Sequence, residues 1–488
     1  SADSAMFVRG TDLRVEGCHI ETERTTDSFA AWGGIQVGGG TTQVQIRRNP
    51  IVGGVGHGAT LGSLEWIART STTTRTQTFG AGTGLQNTQD PCAPVQEEVR
   101  PVEVENVRFD PETAGDLSDI TIVDNTIELM NGNGVSTLTT LRLDDDGEQD
   151  LITVDRVAIE RNRITNCVVQ SRSLAANAPV QKTKKLQPGQ QDVFGQFLVS
   201  TIPPAGIALV DGEHITIRDN DIYDNGTTDP APICGVCVVF GNDILIEGNR
   251  IQNNGRRQPA SIPSMSTMRA GIAVSLAGVA SNQEQQNVAD PIGSSLRVIG
   301  NIVGHPNGPA LAGRATGPMT VDDNYLLSLA NNATAQLAGT APAVSLVDVG
   351  LPWEGIDLPE GEPSPDRWTF PPRTPEYLRR EPGGNQPGGA QRVGYGGPVL
   401  FTNNHVALRW IEASTAAGGL ASGFSVGISS LDEVTLHGNQ FALNVEDPGT
   451  KKTKQGTVFN RQPRVTAHVV AVGATTNVGH KRVAEGVN

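Results

Sequence analysis

Short runs of alternating apolar and polar residues recur along this chain, and ten of them close in the same way: apolar, any, apolar, two residues, Asn, any, apolar. The copies are LRVEGCHI (Leu13 to Ile20), VQIRRNPI (Val44 to Ile51), ITIVDNTI (Ile120 to Ile127), VAIERNRI (Val157 to Ile164), ITIRDNDI (Ile215 to Ile222), ILIEGNRI (Ile244 to Ile251), LRVIGNIV (Leu296 to Val303), MTVDDNYL (Met319 to Leu326), VLFTNNHV (Val399 to Val406) and VTLHGNQF (Val434 to Phe441). The first has Cys18 where the others have Asn. A period of two predicts a strand buried on one face, and recurrence at fixed phase predicts a solenoid whose units bury their apolar rows on one another.

The closest copies open 23 residues apart, at Leu296 and Met319, and those at Ile215 and Ile244 are 29 apart. That length holds short strands and turns but no helix. A second strand signal stands ahead of many copies: GIQV at 34–37, GIAL at 206–209, GVCV at 235–238 and GIAV at 271–274. Each coil therefore has at least two strands and a corner. Asn suits that corner, because it tolerates a left-handed backbone and its amide both donates and accepts. Coils stacked about 4.8 Å apart would join Asn49, Asn125, Asn162, Asn220, Asn249, Asn301, Asn324, Asn404 and Asn439 into a ladder.

The G-I-x-V strand followed by V-x-I-x-x-N-x-I resembles the coil repeat of right-handed parallel β-helix proteins, the pectate lyase-like superfamily, from about residue 13 to 441. The resemblance implies an all-β fold, a single-stranded right-handed parallel β-helix (solenoid) with long loop insertions. It leaves function open, since that superfamily includes polysaccharide lyases, glycoside hydrolases, phage tail spikes, adhesins and structural pieces.

Composition agrees. With 57 Gly, 30 Pro and 4% aromatic residues, the chain is turn-rich around an aliphatic core. One elongated domain over 1–488 is expected, with insertions at about 171–205, 253–270, 279–295 and 351–398 and a C-terminal coil or cap over 442–488. A net charge of −15 argues against nucleic acid as a partner, and no apolar run is long enough to insert in a membrane. The first ten residues, SADSAMFVRG, lack the features of a secretion signal, and the first copy starts close to that end. A preceding domain or a partner is expected to cover it.

The flanks of the Asn column are the first place to seek chemistry, because lyases of this superfamily use Arg or Lys as base, with acidic Ca²⁺ ligands on neighbouring coils. Two residues before Asn come Glu160, Arg218 and Glu247; one before come Asp124, Arg161 and Asp219; one after come Arg163, Asp221 and Arg250. Signs alternate in every column. Stacked in register, these residues form a salt-bridge ladder rather than an active site. The segment GHGATLGSL (Gly56 to Leu64) resembles the G-H-G segment of polygalacturonases, which offers His57 as a catalytic candidate. The N-x-D, D-D and R-I-K segments of that family are not found in order here, and glycoside hydrolysis needs paired carboxylates.

The acidic run Asp144, Asp145, Asp146, Glu148 and Asp150 around Gly147 departs from the alternating Ca²⁺-loop pattern. It reads as a solvated tip, with Asp144, Asp146 and Glu148 as the ligands if Ca²⁺ binds; no other cofactor is implied. Lys182, Lys184 and Lys185 read as a solvated loop. Cys234 and Cys237 lie three apart along a strand, which predicts side chains on opposite faces and a packing role. Trp353, Trp368, Tyr377 and Tyr395 lie in the longest insertion and are the binding candidates for a glycan.

Two readings follow. In the first, the chain is a non-catalytic shaft or surface module, like tail spikes and adhesins, that presents loops to a glycan or to neighbouring subunits of a homo-oligomer or larger assembly. In the second, it is a polysaccharide lyase or glycoside hydrolase acting on an acidic polysaccharide in a groove along the shaft. Either places the chain extracellularly or on a cell or virion surface.

Overall fold

The computed structural model describes residues 4–22, 33–63, 65–77, 98–110, 115–138, 141–143, 149–151, 153–169, 203–227, 233–255, 269–278, 294–306, 308–330, 342–348, 398–411, 425–446, 469–478 and 481–482. The described residues contain strands and turns and no helix, so none is long and apolar enough to cross a membrane.

Three strands make each coil. In the second coil they are Ile35–Val37, Thr42–Arg47 and Pro50–Val52. Each strand pairs in parallel with its counterparts in the coils before and after, as in Val44 with Leu13 and Ile120, and Ile51 with Ile20 and Ile127. The chain thereby stacks three parallel sheets, called sheets 1, 2 and 3 in the order the chain visits them. Sheet 3 has 11 strands, from Ile20–Glu21 to Lys481–Arg482. Sheets 1 and 2 merge into one 19-stranded ladder because strands such as Cys234–Glu247 and Val426–His437 run unbroken through the corner between them. The chain is an all-β parallel β-helix.

The core is the apolar row of the repeat. Val44, Ile46 and Ile51 have no exposed surface, and Ile120, Ile122 and Ile127 repeat them one coil on. Each such side chain contributes about 1.5–3 kcal/mol by leaving water. An eleventh coil, not marked by the phrase, follows the tenth. Val434, Leu436 and Phe441 pair with Thr475, Asn477 and Arg482, so the final coil places polar residues at the apolar positions.

The corner between sheets 2 and 3 takes two residues in every coil after the first, and excursions leave the shaft only at the two corners that border sheet 1. Long segments follow Leu61, Thr137, Gly278 and Asp348 at one corner, and Glu21, Thr165, Gln252, Ala330, Ile411 and Glu446 at the other. Two excursions contain antiparallel hairpins. One pairs Glu65–Gln77 with Glu98–Asp110, and the other pairs Leu141–Leu143 with Gln149–Leu151. Neither is expected from the sequence, because a hairpin strand alternates with the same period as a coil strand.

Candidate functional site

The nine Asn side chains form one unbroken buried ladder. Asn49 Nδ2 donates to Asn125 Oδ1 at 3.0 Å, and the same bond runs on through Asn162, Asn220, Asn249, Asn301, Asn324, Asn404 and Asn439. Each Oδ1 also accepts the backbone N–H of the preceding coil's ladder residue, and Cys18 supplies that N–H at the first step. Each Nδ2 also donates to a backbone carbonyl of the preceding coil, such as Val15 O from Asn49.

The left-handed residue at this corner is not the Asn, however. It is the residue before it: Gly17, Arg48, Asp124, Arg161, Asp219, Gly248, Gly300, Asp323, Asn403 and Gly438 all have φ between 50° and 67°. The bend is made one position early, which frees Asn to point inward and bond along the axis.

Outside the ladder, the charged columns stand in register. Glu160 pairs with Arg218 and Arg218 with Glu247 along sheet 2, and Arg163, Asp221 and Arg250 succeed one another along sheet 3. Arg218 reaches Glu160 at 3.1 Å, and Arg161 reaches Asp124 at 2.8 Å. In the third column Arg163 turns to Glu128 at 3.6 Å and lies over the Tyr223 ring instead. These pairs are solvent-facing, so Glu160→Gln is expected to lower stability by no more than about 1 kcal/mol, measured by denaturant unfolding. A loss several times larger would mean that the ladder of charges holds the coils together.

His57 is buried, 3% exposed, in the corner ahead of sheet 1. Its Nδ1 accepts the Asn133 backbone N–H at 2.8 Å, and its Nε2 has no partner. Burial lowers its pKa to about 4, so the ring stays neutral at ordinary pH. No carboxylate is among its hydrogen-bond partners. Asp144, Asp146, Glu148, Trp353, Trp368, Tyr377, Tyr395 and the trio Lys182, Lys184 and Lys185 lie outside the described residues.

Cys234 and Cys237 correct the expected opposition. Both are fully buried in one cluster with Ala205, Ala208, Ala270 and Ala273, and the hydrogen bond that the Cys237 thiol donates to Cys234, followed by burial, pushes the Cys237 thiol up. Cys234 is the first residue of its strand, next to Gly235, and packs with Cys237 rather than with Val236 and Val238, so regular alternation begins only after it. In these coils the outward residues of sheet 1 are small and buried.

A polar site missed in the sequence lies at the corner between sheets 1 and 2. Ser118, Asp155, Glu213 and Asn242 follow one another in register, and the next residue of each coil, Asp119, Arg156, His214 and Asp243, is left-handed with φ of 50–57°. Arg156 clamps Asp119 with two hydrogen bonds of 2.6 and 3.1 Å, also pairs with Asp155, and holds the Asp119 carboxyl below its usual range. His214 Nδ1 lies 3.1 Å from Asp155 Oδ1. Asp211, 7% exposed, accepts the Thr153 hydroxyl at 2.6 Å. Two stacked carboxylates, an imidazole and a guanidinium can bind a cation or exchange protons. The signal was present as a polar pair directly ahead of the repeat: TD, TQ, SD, DR, EH and ND.

On sheet 3, Tyr325 is 43% exposed and stacks on His405 with centroids 4.6 Å apart. The stack runs from coil to coil, so each ring partly covers the face of the other.

No family model matches this chain, and no curated protein matches it. Among solved structures it is similar to the Dettilon tailspike protein, at 11% identity and a TM-score of 0.30 over 90% of this chain. It is also similar to the mannuronan C-5 epimerase A-module of Azotobacter vinelandii, at 9% identity and a TM-score of 0.26, covering 98% of this chain and 91% of that one. The chain spans 61% of the length of the tailspike chain. Its fold is established by the strand register itself, and that fold is the parallel β-helix.

Proposed function

We propose that the chain is a rigid, non-catalytic shaft or surface module that presents its insertions to a glycan or to neighbouring subunits, outside the cell or on a cell or virion surface. One observation carries this reading. Every excursion leaves at the corners bordering sheet 1, while the corner opposite is held to two residues by the Asn ladder. A stiff axis that sends its variable segments to one side is built for display. The charged columns of sheet 2 and of its corner with sheet 3 support it, since Glu160 with Arg218 and Asp124 with Arg161 neutralise one another.

The alternative, a polysaccharide lyase or glycoside hydrolase, is favoured by one feature: the Asp155, Glu213, His214 and Arg156 constellation lies at a corner that borders sheet 1. Incubating the chain with acidic and neutral polysaccharides, with and without Ca²⁺, separates the two. The display reading expects retention on immobilised glycan, or self-association by sedimentation, with no new reducing ends or unsaturated product. Sustained turnover abolished by Asp155→Asn would replace it with the enzymatic reading.

A further inference from the structure

We propose that Asp155, Glu213 and His214 bind a divalent first-row transition-metal ion, a site independent of whether the shaft is catalytic. Each residue offers one ligand atom, and the three atoms lie within 4.8 Å of one another. Metal–ligand bonds of about 2.1 Å place ligands roughly 3–4 Å apart. His214 Nδ1 and Asp155 Oδ1, at 3.1 Å, already stand at the separation of two adjacent ligands.

The backbone explains how they meet. Asp155 and Glu213 are register partners on neighbouring coils, so their Cα atoms are held at strand spacing. Glu213 and His214 are consecutive, and in a regular strand they would face opposite ways. The left-handed backbone at His214, with φ of 51°, breaks that alternation and lets both reach the same point.

Charge points the same way. Carboxylates stacked directly across parallel strands repel, and Glu213 is only 5% exposed. Around the cluster stand Asp119, Asp155, Asp211 and Glu213, and among the described residues the Arg156 guanidinium bonds to Asp119 and Asp155. A dication between the stacked Asp155 and Glu213 relieves their repulsion. The imidazole nitrogen selects the class, because Ca²⁺ and Mg²⁺ prefer all-oxygen sites whereas a mixed nitrogen and carboxylate set suits zinc, manganese and their neighbours. Three protein ligands leave a further coordination position for water or a ligand from solution.

The test is calorimetric titration of the untagged, metal-stripped chain with zinc, manganese and calcium chlorides in turn, with melting followed in parallel. Saturable binding of one zinc or manganese ion per chain is expected, with Tm rising with metal concentration and calcium binding more weakly. His214→Gln and Asp155→Asn are each expected to weaken binding by about tenfold or more, while Asp221→Asn on sheet 3 leaves it unchanged. Circular dichroism confirms that each variant is folded; should Asp155→Asn not fold, the wild-type titration and His214→Gln decide. Absence of saturable binding, calcium binding as tight as zinc, or a His214→Gln variant that binds like the wild type would each overturn the proposal.

Discussion

Replacing Asn220 with Ala is expected to lower stability by about 4 kcal/mol or more, at least several-fold beyond any change among the outward charges. The Asn220 side chain makes four buried hydrogen bonds. Its Oδ1 accepts from the Asn162 backbone N–H at 2.9 Å and from Asn162 Nδ2 at 3.1 Å. Its Nδ2 donates to Asn249 Oδ1 at 2.9 Å and to Ile159 O at 2.8 Å. Truncation removes a partner from all four groups in a place water does not reach, at about 1–3 kcal/mol for each group left unsatisfied. Because a solenoid can open coil by coil, the loss should be read locally, as faster hydrogen exchange of the Asn162 amide, as well as in the denaturant midpoint.

Asn220→Asp adds a pH test. A carboxylate can accept from Asn162 but cannot donate to Asn249 or Ile159, so burial and these facing oxygens raise its folded pKa above the unfolded value of about 3.9. The penalty is absent below the unfolded pKa and complete above the folded one. The variant should therefore approach wild-type stability as pH falls toward 4. An Asn220→Ala variant within about 1 kcal/mol of wild type would show that the ladder is ornament to the apolar core rather than its partner.

The ladder was legible because one residue type stood at one phase of a period-two pattern. The residue that makes the bend was not. Its column mixes Gly17 with Arg48, Asp124 and Arg161, and only φ unites them. The same holds for the metal-site corner, where the polar pair ahead of each copy varies freely in type. What selects it is backbone conformation, and the side chains are left to differ from coil to coil. The eleventh coil, expected only as a coil or cap over 442–488, could not be placed strand by strand for the opposite reason: Thr475, Asn477 and Arg482 keep the register and lose the apolarity by which a coil is recognised. The CxxC pair shares a face against expectation because alternation breaks at the first residues of its strand, beside Gly235.

The Gly of the G-I-x-V strand supplies the second large effect, and its cause is space rather than backbone angle. A Cβ added at Gly235 would meet Ile251 Cγ2 at 2.2 Å, Gly271 O at 2.8 Å and Asn254 Nδ2 at 3.0 Å. Gly34, Gly58, Gly134, Gly206 and Gly271 meet the same obstacles, a β-branched side chain of sheet 3 and the carbonyl of the next coil. Ile251 is fully buried and Gly271 O accepts the Gly235 and Val236 backbone N–H groups, so neither can yield without shifting a coil. Gly235→Ala is therefore expected to cost about 3 kcal/mol through overpacking. Gly300 supplies the contrast: its φ is +65°, but a Cβ there finds only the Gly248 N atom, at 4.0 Å. Gly300→Ala should cost about 1 kcal/mol, from backbone strain alone. Equal losses in the two variants, measured by denaturant unfolding, would mean that the inner corner can open to admit a methyl group. Ala310 and Ala343 succeed the Gly residues in the same column, so later coils already leave that room, and the constraint at Gly235 belongs to the coils that turn on Ile or Val against a glycine.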